Sequence, residues 1–359
     1  MTDLGAKSTT FRPDCLATAI GSMPHTDPVV ACDAVLLHLR DMPAWPQLPQ
    51  RSTLENMYIQ YSEGFPGTVI EGDSIHVDRS RDLDEPLSAL YVAYLENDTE
   101  RYAIGAEYAA GLHAFLAADH SASSAVKGQV TGPISWGLTV TDEGRRPTLY
   151  DDVLADAMAK HLRLKAAWMS STLSALAPHV ITFLDEPYMS ALGSAFVSVP
   201  RGQVLALLNE VLGGISGLKG IHCCANTDWS VLLETPINIL SFDAYNYADT
   251  LSLYPSEVRA FLARGGILAW GIVPNEETVL SAETTDTLLT RLHEAMELLV
   301  NKGIKLEDIL RRCLITPSCG LAEMSVEGAE RALMLAASLS RTMREQYRGL
   351  LELDNSEER

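Results

Sequence analysis

The stretch Leu218-Lys219-Gly220-Ile221-His222-Cys223-Cys224 decides the fold. It follows a Gly213-Gly214 break, runs briefly apolar, and ends on three reactive side chains. A run this short, bounded by glycine, reads as a buried strand rather than a helix. The same build recurs along the chain. Residues 16–20 end at Gly21-Ser22, 125–130 at Thr131-Gly132-Pro133, and 180–184 at Asp185-Glu186-Pro187. Residues 237–242 end at Asp243, 267–270 at Gly271, and 314–315 at Thr316-Pro317. A segment at 42–47 makes eight, although Pro43 and Pro46 weaken its strand pattern.

Helical patterns fall between these runs. Over 151–177, Leu154, Met158, Leu162, Met169, Leu173 and Leu176 share one face, with Thr148 and Asp151 as cap residues. Val204, Leu207, Leu208 and Val211 mark a helix over 203–212. Leu288, Leu292, Ala295 and Leu299 mark another over 284–300. A last one spans 327–348, with Ser325 as its cap. Alternating strands and helices predict an α/β fold, a (β/α)8 TIM barrel. The rhythm breaks at 57–78. There Tyr58, Val69, Ile70, Ile75 and Val77 predict two extended pieces around Gly64-Phe65-Pro66-Gly67, a β-hairpin inserted after the second strand. Residues 1–350 read as one barrel domain and 351–359 as a disordered acidic tail.

The chain has 359 residues, 27 Lys and Arg against 47 Asp and Glu, and a formal charge of −20. Such a field disfavours nucleic acid and anionic membranes. No apolar run approaches the ~18 residues of a membrane span, and residues 1–14 lack the basic start and apolar run of a signal peptide. A cytoplasmic protein is expected, with its six cysteines reduced. Cys15, Cys32 and Cys313 sit among apolar residues and read as core.

In an α/β barrel, chemistry sits at the C-terminal ends of the strands. His222 and Cys224 are two apart after a strand, so both side chains fall on the same side. Cys223 should point the other way and pack. Cys319 follows the last strand, where the barrel mouth can bring it back to the other two. One imidazole and two thiolates suit Zn²⁺, and three protein ligands with an open position form the catalytic pattern. Asp243, ending the next strand, is a candidate fourth ligand. Thiolate ligands make zinc a poor source of hydroxide and suit it to capturing an incoming thiol. Such a sulfur is ready for alkylation. Asp185 and Glu186 can pair with an ammonium, and the N–H groups at Gly21-Ser22 can take a carboxylate.

The segments Ile20-Gly21-Ser22-Met23-Pro24, Val130-Thr131-Gly132-Pro133, Leu184-Asp185-Glu186-Pro187, Ile221-His222-Cys223-Cys224 and Pro317-Ser318-Cys319-Gly320-Leu321 occur in this order. This ordered set resembles the C-terminal catalytic barrel of cobalamin-independent methionine synthase, in the superfamily shared with uroporphyrinogen decarboxylase. The resemblance implies a zinc-dependent methyltransferase that converts homocysteine to methionine. It implies His222, Cys224 and Cys319 as zinc ligands, with Asp243 where the family has a glutamate. Ile20, Gly21 and Ser22 match the segment that holds the homocysteine carboxylate. Asp185 matches a carboxylate for its amino group, with Glu63 as a second. Trp136 falls near a folate-stacking tryptophan. The long synthases carry two barrels and this chain one, so it looks like the short core forms. For these the expected donor is methylcobalamin, carried on a corrinoid protein, rather than methyltetrahydrofolate. A methylcobalamin-dependent enzyme acting on coenzyme M is the alternative, but its acceptor has no ammonium and would leave Asp185 idle. A zinc- or corrinoid-protein-binding barrel without turnover is the non-enzyme alternative. The decarboxylase needs several arginines for propionates, and only Arg12 lies close before the first strand.

Overall fold

The computed structural model describes residues 11–193 and 197–352. Its main sheet is parallel throughout, and its strands are those the strand-end residues announce. We label them β1 (Leu16–Ala17), β2 (residues 43–47), β3 (Ala125–Thr131), β4 (His179–Asp185), β5 (Leu218–Cys223), β6 (Ile239–Phe242), β7 (Ile267–Val273) and β8 (Cys313–Pro317). Seven of them pair in the order β1-β8-β7-β6-β5-β4-β3. The eighth, β2, closes the gap between the two edges. Ala44 bridges Lys127 of β3, and Gln47 bridges Ser22 just beyond β1, both parallel. Pro43 and Pro46 have no N–H, so β2 makes isolated bridges rather than a continuous ladder. Its donors are the remaining amides. Trp45 N bonds to Lys127 O at 3.2 Å and Gln47 N to Gly21 O at 3.0 Å. The α/β barrel expectation holds, with β2 as its least regular stave.

Two cores follow from this closure. A small apolar cluster inside the barrel contains Leu16, Met42, Ala125, Ile181, Ile239, Ile267 and Leu314, with Phe11 packed against them. Seven of the eight staves contribute to it, the β5 share being the half-buried Leu218, and Met42 joins it from just before β2. The larger core lies between the sheet and the surrounding helices. The helix Asp152–Leu173 buries Leu154, Met158, Leu162, Met169 and Leu173, and Asp151 caps it by accepting from Val153 N and Leu154 N. Thr148 instead opens a short 3-10 turn, Thr148–Tyr150. Thr284 and Thr287 form a capping box on Thr285–Val300. Ser325 caps Val326–Gln346 through Gly328 N. Cys15, Cys32 and Cys313 are buried, as their apolar neighbours imply.

The inserted hairpin exists, but its boundaries need correction. Thr68–Glu71 pairs antiparallel with Ser74–Val77, and the turn is Gly72-Asp73, not the Gly64–Gly67 region. The two-residue turn needs a positive φ, which Gly72 supplies at 61°. Met57–Gln60 is a helical turn capped by Asn56, so Tyr58 is not in a strand. A third short strand, Thr141–Asp142, joins this small sheet. Leu351 and Glu352 end the helix Arg348–Glu352, and the rest of the expected disordered tail lies outside the described residues. No described helix is long and apolar enough to cross a membrane.

Candidate metal centre

At the end of β5 the parallel register sets Asp185 beside His222, and His222 beside Ser241. Register neighbours in a sheet point to the same face, so all three side chains enter the barrel mouth. Ser241 Oγ lies 2.9 Å from His222 Nδ1. That contact leaves the other ring nitrogen, Nε2, aimed away from the strand. Nε2 is buried with no hydrogen-bond partner among the described residues. Buried polar atoms are rarely left so, and an orphan invites a ligand. The ligand atoms of His222, Cys224 and Cys319 all lie within 4.8 Å of one another.

Cys319 arrives by a different route. A register shift between Thr316 and Pro317 marks a bulge at the end of the β8 ladder, whose last pair is Pro317 with Val273. Ser318 N bonds to Val273 O at 2.8 Å, and Leu321 N to Ser22 O at 2.9 Å. These bonds pin both sides of Cys319. Gly320 permits the second contact, since a Cβ there would stand 2.0 Å from Ser22 Oγ. The thiols act on each other. Cys319 donates to Cys224, which holds the Cys224 thiol far below its usual range, aided by His222. The same bond, with burial, pushes Cys319 up.

These residues fit a soft divalent cation. Zn–S and Zn–N bonds of about 2.3 and 2.0 Å in a tetrahedron put donors roughly 3.5–3.8 Å apart. From a spread of at most 4.8 Å, the trio would need to close by roughly 1.0–1.3 Å at most. Asp243 stands outside this group. Its Oδ1 caps the helix Ala244–Leu251 by accepting from Asn246 N at 2.9 Å, and its Oδ2 accepts from Asn246 Nδ2 at 2.7 Å. As a ligand it would have to surrender a helix cap. Cys223 is buried, with its Sγ 3.3 Å from Ala225 O, and packs away from the trio.

The other sequence-derived residues divide. Ile20, Gly21 and Ser22 reach the mouth beside Cys319, through the Ser22–Leu321 bond. The N–H groups of Gly21 and Ser22 donate to no acceptor among the described residues. Asp185 is 7% exposed, and its Oδ1 has no partner among the described residues. Burial raises its pKa to about 6, against the lowering pull of Lys127 and His222. Glu186 points elsewhere. It accepts from Ile134 N at 2.9 Å, Ser135 N at 2.8 Å and Ser135 Oγ at 2.6 Å, capping the helix Pro133–Thr139. It is therefore structural and not available to an ammonium. Glu63 accepts from Gly105 N at 2.8 Å and lies 3.9 Å from Lys165 Nζ. Lys165 belongs to the helix Asp152–Leu173, so the contacts of Glu63 tie it to the surrounding layer. Trp136 is fully buried, bonds through Nε1 to Tyr58 O at 3.0 Å and packs edge-on against Phe65. It offers no face to a ligand and is a core aromatic.

Several residues of the mouth escaped sequence reading. Ser241 orients His222. Tyr58 lies close enough to feel the charge of Cys224 and meets the 40% exposed Tyr188 edge-on at 6.4 Å. Lys127 and Gln129 stand inside the barrel below them. The alternation Lys127, Gln129, Thr131 in an otherwise apolar strand was the available signal, because a fully buried strand has no wet face to explain it.

No protein-family model and no curated protein matches the chain. Solved structures do. A B12-independent methionine synthase from Shewanella sp. W3-18-1, in complex with selenomethionine, matches with TM-score 0.57 at 16% identity, over 93% of this chain and 99% of that one. A methyltransferase from Methanosarcina mazei matches with TM-score 0.55 at 14% identity, over 88% and 86%. A putative vitamin-B12 independent methionine synthase from Listeria monocytogenes matches with TM-score 0.55 at 13% identity, over 91% and 97%. Over nearly its whole length, this chain has the fold of methionine synthase and methyltransferase barrels.

Proposed function

We propose that this protein is a zinc-dependent methyltransferase that methylates the thiol of homocysteine to give methionine. The observation that carries the reading is the convergence of His222, Cys224 and Cys319, from two distant strand ends, around a buried and orphaned imidazole nitrogen, with both cysteines half-buried. A Zn²⁺ ion held there would lower the proton affinity of an incoming thiol and leave its sulfur nucleophilic at neutral pH. The chain's own residues do the rest. Asp185 receives the acceptor's ammonium at its unpartnered oxygen. The N–H groups of Gly21 and Ser22 receive its carboxylate. With the acceptor's amino-acid end held in this way, its sulfur would be aimed at the His222, Cys224 and Cys319 trio, and such orientation lowers the barrier to transfer.

The proposed donor is methylcobalamin, presented on a corrinoid protein, with the whole reaction assigned to this one barrel. Six free cysteines, two of them in the site, suit the reducing cytoplasm. Zinc-loaded protein is incubated with homocysteine and either methylcobalamin or methyltetrahydrofolate, and methionine is quantified. Methionine from methylcobalamin supports the full proposal. Methionine only from the folate reassigns the donor, in line with the B12-independent names of two fold neighbours. Turnover only with coenzyme M reassigns the acceptor. Bound zinc without turnover of any thiol would refute the enzyme reading.

A further inference from the structure

Lys127 is a lysine 1% exposed inside a barrel, two layers below the proposed site. It sits on β3 opposite Ile181, four residues before Thr131, which is level with Asp185. Strands rise about 3.3 Å per residue, so its long side chain spans half of that height. Its Nζ donates to Ile20 O at 2.5 Å and to Gln129 Oε1 at 3.2 Å. It also lies 4.7 Å above the Phe183 ring. That ring fits because residue 220 is glycine; a Cβ there would meet it at 2.6 Å. Gln129 continues the relay. Its Nε2 donates to Trp45 O at 3.1 Å and fills the space above Gly21, where a Cβ would come within 2.2 Å.

Burying an ammonium is costly unless its surroundings offset the lost hydration. Here the direct partners are two neutral oxygens and a ring, with Asp185 as a more distant charge. A neutral donor would tie down Ile20 O as well and at less cost. The charge itself therefore calls for a use. The carbonyl that Lys127 holds belongs to Ile20, which directly precedes residues 21 and 22, whose N–H groups have no acceptor among the described residues and form the proposed seat of a carboxylate. We infer that Lys127 is a positioning residue of the acceptor pocket: it fixes the turn at residues 20–22 through Ile20 and supplies the positive charge that selects a thiol bearing a carboxylate. With Asp185 it makes the pocket a reader of zwitterions, positive below one end and negative beside the other. This inference rests on the amino-acid acceptor proposed above.

The test measures binding by calorimetry on zinc-loaded protein, with homocysteine and with 3-mercaptopropylamine, the same thiol without its carboxylate. Lys127→Ala should weaken homocysteine at least tenfold, change 3-mercaptopropylamine less than twofold, and keep the wild-type zinc content. Lys127→Met, which preserves the packed volume, should behave alike and covers the case in which the alanine variant does not fold. Equal homocysteine affinity in wild type and variants would overturn the role of Lys127 and leave the acceptor reading standing. Equal loss for both thiols would overturn charge selection in favour of a purely structural lysine. Wild-type protein that binds no homocysteine would overturn the acceptor reading itself, and this inference with it.

Discussion

Replacing Ser241 by alanine should weaken zinc binding without unfolding the protein. Ser241 is 1% exposed, and its Oγ stands 2.9 Å from His222 Nδ1. For Nε2 to bind a cation, Nδ1 must carry the ring proton and donate it to Ser241. In the variant that N–H is buried without an acceptor whenever the metal is bound. Without metal the ring is free to turn and find another partner, so the penalty falls on binding. An orphaned buried donor costs about 1–3 kcal/mol. At about 1.4 kcal/mol per decade this is roughly ten- to hundredfold in affinity, the range typical for losing an outer-shell partner of a metal-bound histidine. Competition against a chromophoric chelator at pH 7.5 reads the affinity, and thermal melting of the metal-free forms checks the fold. Affinities within twofold of each other, with equal melting points, would refute the assignment of Nε2 as the donor atom.

His222→Ala and Cys319→Ser should each lose zinc and activity together; retained stoichiometric zinc by elemental analysis would remove either from the ligand set. Asp185→Asn should weaken homocysteine while zinc stays in place, and an unchanged dissociation constant would exclude its role. Gly21→Ala forces a side chain into φ +144° and against Gln129, so urea unfolding should report a loss of about 1–3 kcal/mol. Burial raises the Glu186 pKa from 4.5 to about 7, against the hydrogen bonds from the Ser135 side chain and the 134–135 amides. The folded state then holds a proton that the unfolded state has released, so this contribution to stability is complete below about 4.5 and vanishes as pH rises through about 7. Glu186→Gln should flatten that fall, and parallel stability profiles for the two proteins would contradict it.

The fold was legible because each strand end carries its own punctuation. Asp185, His222 and Asp243 fall at or next to the last residue of a strand, whereas Gly271 lies inside β7, which runs on to Val273. β2 was the hardest to read, for the reason that makes it irregular: Pro43 and Pro46 cannot donate to a ladder. The hairpin was misplaced because Gly64 and Gly67 also have positive φ, so glycine alone did not single out Gly72. In the site, the trio was readable from spacing and strand position. Glu186 was not, because its partners are 51 and 52 residues away and its neighbour Asp185 faces the other way. Trp136 shows the limit of transfer by position: a tryptophan near the right place can be wholly enclosed. Ser241, Lys127 and Gln129 act only through contacts across strands, which no local window contains.

Phe11 and the ring of aliphatic side chains around it leave the barrel with a sealed floor. Among the described residues, that floor leaves the strand-end mouth as the way in for a reactant. Under the proposed reaction, acceptor and donor share that doorway, and the acceptor's seat is the deeper one. The thiol has to enter first, and its methylated form is trapped until the spent donor withdraws. Turnover should accordingly follow a compulsory order, with excess donor acting as a stopper on the empty protein.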